Sequence, residues 1–418
     1  MAPSTRDPDV IVIGGGPAGS TCSAILAQHG LTVDLFEREH FPRFHIGESL
    51  IPQTYHVLKR LGMLPKMKAS HFVKKYSVQF INQRGKLSEP FYFVDHKPHE
   101  SSQTWQVRRS EFDQINLNNA REHGVRVHEG ARVIEVLFEG DRAVGVRVKV
   151  GDEPEKVVRA KVVVDASGQS TLLQDRLGLR EWDPVLKKAA LWTYWKGAVR
   201  ATGRDEGATL VIQTEGKKGW FWYIPLHDDV VSVGVVADYD YLFLNRPTKD
   251  LEAIYFEEVA RAPGLQPRIK DATRCDIFRA QKEYTYRSRQ AAGNGWVLVG
   301  DALGFIDPLY SSGVLLALTA GSMAADAIAE GIRAGDTSAA QLGKWGPTFF
   351  AGMERMRRLV VEFYDGLSFG RFVRKHPDMK GLVTDVLIGD VFKDEVDVLW
   401  PLIDELKAEQ QAAAGAKA

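Results

Sequence analysis

The glycine turn Gly14-Gly15-Gly16-Pro17-Ala18-Gly19 constrains the fold more than any other stretch of the chain. It follows an apolar strand, Val10 to Ile13, and opens a helical stretch from about Ala18 to Gln28. Gly30 then terminates the helix, and a second strand runs from Leu31 to Phe36. Gly14, Gly16 and Gly19 take the three glycine places of G-x-G-x-x-G, where the backbone turns sharply, approaches a pyrophosphate and aims a helix N-terminus at its charge. Glu37, at the end of the second strand, is placed to accept hydrogen bonds from ribose hydroxyls. A glycine turn can serve packing alone. Set between a strand and a helix with an acidic residue after the next strand, it predicts an α/β domain that holds a dinucleotide.

Two later segments return to the same sheet. Val162-Val163-Val164-Asp165-Ala166-Ser167-Gly168 reads as a buried parallel strand ending in a tight turn, and Trp296-Val297-Leu298-Val299-Gly300-Asp301 as another. Between them lie a helix (Phe112 to His123), a small meander with turns at Gly140-Asp141 and Gly151-Asp152, and a strand-rich stretch from about Ala189 to Tyr239. Residues 1–343 are thus expected to form one module. Its dinucleotide-binding parts cover about 1–70, 105–185 and 275–343, and an inserted antiparallel substrate sheet covers about 71–104 and 186–274. A short helical region follows over 344–418, with aromatics packing over the substrate side and the stretch Ala408 to Ala418 expected to fray.

Composition narrows the partners. Lys plus Arg and Asp plus Glu both number 54 in the 418 residues, which removes the electrostatic case for nucleic acid and for bulk attraction to an anionic membrane. Cys22 and Cys275 are too few for a disulfide framework or a cysteine-based metal site, and no metal is expected. The opening Met1-Ala2-Pro3-Ser4-Thr5-Arg6-Asp7-Pro8 is polar and no apolar run reads as long enough to span a bilayer, so a cytoplasmic protein is expected.

Arg109-Ser110-Glu111-Phe112-Asp113 and Gly300-Asp301 resemble the R-x-x-F-D and G-D elements of the FAD-dependent hydroxylases, which favours FAD over NAD and a Rossmann-type domain of that kind. No second G-x-G-x-x-G follows a strand, so a separate NAD(P)H-dependent flavin reductase is expected to reduce the flavin. Three more stretches resemble the flavin-dependent halogenases, with greatest likeness to the group acting on phenols and pyrroles. Gly219-Trp220-Phe221-Trp222-Tyr223-Ile224-Pro225 contains W-x-W-x-I-P; Gly47-Glu48-Ser49-Leu50-Ile51-Pro52 and Asp307-Pro308-Leu309-Tyr310-Ser311-Ser312-Gly313-Val314 are similar to two further family segments. The resemblance implies an FAD site drawn from Gly14, Gly16, Pro17, Ala18, Gly19, Glu37, Ser49, Arg109, Asp301, Gly313 and Val314. It also implies halide at the amides of Ser312 and Gly313, ahead of an apolar helix whose positive end suits an anion. The same helix end can instead stabilise the anionic reduced flavin.

On a strand, Trp220 and Trp222 share one face while Phe221 and Tyr223 share the other. The two indoles, with Pro225, then form a tunnel wall that holds the substrate off the flavin and excludes water. By periodicity alone the segment reads first as an aromatic core strand; the complete motif with its Ile-Pro ending favours the wall. In the family, FADH2 and oxygen give a flavin hydroperoxide that oxidises chloride or bromide to hypohalous acid, and a lysine passes the halogen to an electron-rich aromatic. That substrate is either a small molecule or bound to a carrier protein.

Family spacing favours Lys75 within Phe72-Val73-Lys74-Lys75-Tyr76-Ser77-Val78-Gln79-Phe80, whereas alternation groups Lys74 with the apolar residues. A lysine pair also reads as a solvated edge or a docking patch for an acidic carrier protein. Ser77-Val78 departs from the family's Gly-Ala. Tyr310 stands where tryptophan halogenases carry a glutamate, which argues against free tryptophan and leaves the general base unassigned. The competing expectations are a monooxygenase or prenyl reductase on the same scaffold, and a catalytically silent flavin-binding protein.

Overall fold

A computed structural model describes residues 7–282, 284–367 and 369–415; the polar stretch 1–6 and the end of the alanine-rich tail, 416–418, lie outside it. The fold is α/β. Its nucleotide side is a six-stranded sheet in the order Ala292–Gly293, Trp296–Leu298, Val162–Asp165, Val10–Ile13, Val33–Phe36, Arg126–His128. All pairs are parallel except the antiparallel edge strand Ala292–Gly293. Strands buried on both faces read as uninterrupted apolar runs, and Val10–Ile13 and Val162–Val164 do so. The 125–159 region supplies its last parallel strand and a three-stranded meander, Ala131–Glu139, Arg142–Val150 and Lys156–Arg159.

The first helix, Pro17–Gln28, packs against Gly313–Ala334. Gly321 makes that contact intimate, because a Cβ there would sit 2.5 Å from the Ala18 carbonyl oxygen. Gly313–Ala334 is long and apolar enough to cross a bilayer by length and composition, which corrects the expectation that no run is. Its most apolar window is 72% buried inside the protein, as in a core helix.

The second sheet has eight strands. Lys188–Lys196, Val230–Asp238, Gly219–Pro225 and Thr209–Gln213 form its antiparallel centre, and Ser77–Ile81 joins Thr209–Gln213 in parallel. One face packs with the nucleotide module in the main core. The other buries Leu191, Trp195, Phe221 and Tyr223 under the helix Leu251–Ala260 in a second core. The C-terminal part is helical, with long helices at Gly346–Tyr364 and Leu399–Gly415, so the expected fraying from Ala408 gives way to helix through Gly415.

Candidate active site

The glycine turn is held in the conformation its sequence demands. Gly14 has φ +103°, and a Cβ there would lie 2.4 Å from the Ala166 carbonyl oxygen; one at Gly19 would lie 1.9 Å from the Gly14 oxygen. Neither position admits a side chain. Gly16 differs, since its Cβ would meet only Arg43 Nη2 at 3.5 Å, so the free space lies on the side where a ligand backbone passes. Gly16 also caps the first helix, with Pro17 at its first turn. Glu37 is buried; its Oε2 accepts the Gly15 amide at 2.7 Å and its Oε1 the Glu39 amide at 2.9 Å, which fixes the carboxylate beside the turn.

A cavity of about 1010 Å³ runs from this turn to the face of the second sheet. That volume sits at the upper end of the roughly 300–1,000 Å³ common for ligand sites. Gly14, Gly16, Pro17, Ala18, Glu37, Ser49, Arg109, Asp301, Gly313 and Val314 all line it, while Gly19 lies behind the turn. A space of this size with a glycine cradle, a helix N-terminus, the buried Glu37 at one flank and the half-buried Asp301 at the other fits FAD.

Arg109 is the first residue of the helix Arg109–Glu122, and its Nε and Nη2 bond both oxygens of Asp113 one turn on, at 2.8 and 3.0 Å. Its Nη1 donates to the carbonyls of Ile46 and Gly47, at 2.6 and 3.3 Å. The R-x-x-F-D element therefore clamps the loop that forms the cavity wall. Arg109 and Arg43 hold the Asp113 carboxyl below the usual carboxylate range despite its burial. Burial raises Asp301 to about 6, with Arg109 opposing the rise.

At the far end stand Trp220, Trp222 and Ile224, on the cavity side of their strand, with Phe221 and Tyr223 on the other. Pro225 does not line the cavity: alternation turns it away, and Ile224 takes the place expected of it. A third indole, Trp192, completes the wall from the strand Lys188–Lys196, across Val230–Asp238 from the tryptophan strand, its ring 6.1 Å from that of Trp222. Trp220 Nε1 donates to Tyr364 Oη at 2.8 Å, and Tyr364 Oη donates to Asp307 Oδ2 at 2.9 Å, so the helix Gly346–Tyr364 ties the wall to the segment leading into the Ser311-Ser312-Gly313 turn. Ser311 adopts φ +58°, Ser312 caps the Gly313–Ala334 helix and is buried, and Ser311 and Gly313 line the cavity on either side of it. Tyr310 points instead into an aromatic cluster with Phe363 and Phe369.

The two lysines separate cleanly. Lys74 is exposed, whereas Lys75 is 2% exposed. Lys75 Nζ donates to Ser49 Oγ at 2.7 Å and to the Leu50 carbonyl at 3.1 Å, and Ser49 Oγ lies 3.0 Å from Thr209 Oγ1. Ser49 and Thr209 line the cavity, so the amine sits one hydrogen bond behind its wall. Desolvation brings Lys75 down to about 7.

Three polar groups on the wall that the motifs did not single out have a buried atom with no hydrogen-bond partner among the described residues: Glu48 Oε2, Trp192 Nε1 and Tyr284 Oη. Glu48 Oε1 accepts the Tyr194 hydroxyl at 2.6 Å, and burial raises the carboxyl to about 7. The only signal for Glu48 was its place in Gly47-Glu48-Ser49; nothing in the strand patterns distinguished Trp192 or Tyr284.

Comparison with known proteins places the chain in a family. The tryptophan halogenase family model matches residues 94–368, and the FAD dependent oxidoreductase model matches residues 9–175. A tryptophan 2-halogenase of Chondromyces crocatus is 35% identical over 360 residues, 85% of this chain and 67% of its own. The 1H-pyrrole-2-carbonyl-[peptidyl-carrier protein] brominase of Pseudoalteromonas luteoviolacea is 33% identical over 93% of both chains. Among solved structures, the flavin-dependent brominase Bmp2 superposes with a TM-score of 0.85 at 32% identity, over 97% of this chain and all of that one.

Proposed function

From the premise that this chain belongs to the flavin-dependent halogenase family, we propose that it halogenates an electron-rich phenol or pyrrole, using Lys75 to deliver the halogen. When bound as FADH2, the cofactor supplies with O2 the two-electron oxidation of chloride or bromide to hypohalous acid. The chain's residues do the rest. The glycine turn, Glu37 and Arg109 hold and orient the dinucleotide. The amides at Ser312 and Gly313 receive the halide at a helix N-terminus, and the three indoles keep water and substrate away from the oxidant.

The observation that carries this reading is the single cavity joining the glycine turn to the indole wall, with a buried amine behind Ser49. An amine near pKa 7 has a large neutral fraction at physiological pH and can bind oxidised halogen. Delivery requires Lys75 Nζ to exchange its bond to Ser49 Oγ for the halogen. Glu48, a buried carboxyl on the cavity wall raised to about 7, is the acceptor for the proton that the ring sheds on substitution. Trp192 Nε1 and Tyr284 Oη supply donors for a substrate oxygen or carbonyl.

The described residues contain one dinucleotide sheet, which supports reduction by a separate NAD(P)H-dependent reductase. Two unpaired cysteines, one buried and one exposed, agree with a reducing cytoplasm. The test is incubation with a generic flavin reductase, NADH, oxygen and bromide against phenols, free pyrroles and a carrier-bound pyrrole, followed by mass spectrometry. A bromine isotope doublet on a phenol or pyrrole is the expected result. Oxygenated products without halogen, or halogenation of indoles alone, refute it.

A further inference from the structure

Outside the cavity, three segments meet at a cluster of nitrogen and carboxylate ligands. His71 precedes the lysine strand Val73–Lys75, Glu111 lies in the first turn of the helix Arg109–Glu122, and His227 follows the tryptophan strand Gly219–Pro225. His227 Nε2 lies 3.1 Å from Glu111 Oε1, His71 Nε2 lies 3.1 Å from Glu111 Oε2, and one ligand atom from each residue falls within 4.8 Å of the others.

His227 is 8% exposed, and among the described residues its Nε2 has no hydrogen-bond partner. Its Nδ1 is 2.9 Å from Asp228 Oδ2. Nε2 is thus a buried nitrogen held 3.1 Å from Glu111 Oε1 without a hydrogen bond to it. Carboxylate-oriented imidazole is also how metal-binding histidines are commonly held.

We propose that His71, His227 and Glu111 form a binding site for a divalent transition cation of the Zn2+ class, joining the lysine strand, the flavin-side helix and the end of the tryptophan strand. The proposal is independent of the function above. Zn–N and Zn–O bonds of about 2.0–2.2 Å put neighbouring ligands on a tetrahedral centre about 3.3 Å apart, close to both 3.1 Å pairs. The His71 side chain is 70% exposed and free to close the remaining gap to His227. Among the described ion pairs, Arg108 faces both Glu111 and Asp228, so the cluster sets two carboxylates against one guanidinium. Two cysteines had argued against a cysteine-based site; imidazole and carboxylate suffice for this class of metal.

Tag-free, FAD-loaded enzyme dialysed against chelator is titrated with Zn2+ alone by calorimetry and melted at increasing Zn2+. One equivalent is expected to bind, with Tm rising by about 3 °C at a 100-fold excess over Kd and no response to Mg2+. His71→Ala and Glu111→Gln, both at partly exposed positions that tolerate change, each weaken binding tenfold or more. A wild-type titration without a one-to-one step, or a loss below tenfold in either variant, overturns the site and leaves histidine–carboxylate ion pairs.

Discussion

Replacing Lys75 with methionine separates the chemistry of the amine from the cost of burying it. The fall of its pKa from 10.5 to about 7 means that the folded protein bears about 5 kcal/mol for holding a group that water would keep charged. Methionine has similar length and no charge. Against that relief stand two lost hydrogen bonds, to Ser49 Oγ and the Leu50 carbonyl, each worth about 1 kcal/mol. A misfit of the thioether costs about 1 kcal/mol more. Lys75→Met is therefore expected to stabilise the protein by about 1–3 kcal/mol at pH 7, a Tm rise of about 1–3 °C for a chain of 418 residues.

The pH dependence has a definite sign. The folded pKa lies below the unfolded one, so between about pH 7 and 10.5 the unfolded chain holds more protons, and wild-type stability gains with rising pH. The methionine variant lacks this contribution. Its advantage is full below pH 7 and closes toward pH 10.5. Melts across a buffer series measure the gap, bromination by mass spectrometry measures delivery, and flavin fluorescence measures FAD affinity. Affinity stays near wild type because Lys75 does not line the cavity. Wild-type bromination by the variant would refute delivery by Lys75, and a variant less stable at every pH would refute the uncharged buried amine.

Other substitutions probe the remaining parts. Gly14→Ala forces a side chain into φ +103° and 2.4 Å from the Ala166 oxygen; it is expected to elute from gel filtration without flavin absorbance, and full retention would contradict the cradle. Glu48→Gln keeps the shape and removes the proton acceptor; product formation should fall roughly 100-fold or more with flavin still bound, and an unchanged rate removes Glu48 from the chemistry. Tyr364→Phe strands Trp220 Nε1 and Asp307 Oδ2; a loss of about 1–3 kcal/mol by denaturant titration is expected, and a neutral result would show that the link between wall and turn bears no strain.

Much of this was legible in the sequence because it rests on local rules. The glycine turn admits one backbone path, and alternation along Gly219–Pro225 sorts Trp220 and Trp222 from Phe221 and Tyr223. The same rule misled around Lys75. Phe72 is buried, but Tyr76, Val78 and Phe80 are only half-buried, while Lys75, Ser77 and Gln79 face inward. The chain changes partners at Tyr76: Val73–Lys75 pairs with Thr104–Gln106, and Ser77–Ile81 with Thr209–Gln213. Polarity along one strand cannot report an interior that is itself polar. Trp192 was hidden for the opposite reason, since Lys188–Trp195 is buried on both faces and alternation names neither as the cavity side. The metal-ligand cluster was invisible because its three members lie far apart in the chain and only the fold gathers them.

The second core explains why the indole wall can stay rigid. Phe221 meets Tyr255 edge-on at 5.8 Å, and Trp195 Nε1 donates to the Tyr255 hydroxyl at 3.1 Å, fixing from behind the strands that carry Trp220, Trp222 and Trp192. On the cavity side, Gly234 lies between two indoles, where a Cβ would fall 2.3 Å from Trp222 Cζ2 and 2.5 Å from Trp192 Cβ. The wall closes only because that position has no side chain. A domain's net stability is about 5–15 kcal/mol, so a buried lysine costing about 5 kcal/mol is tolerable only where the surrounding sheet is over-determined in this way. A large apolar core behind the wall and a desolvated amine beside it are thus parts of one arrangement: the first supplies the stability that the second consumes.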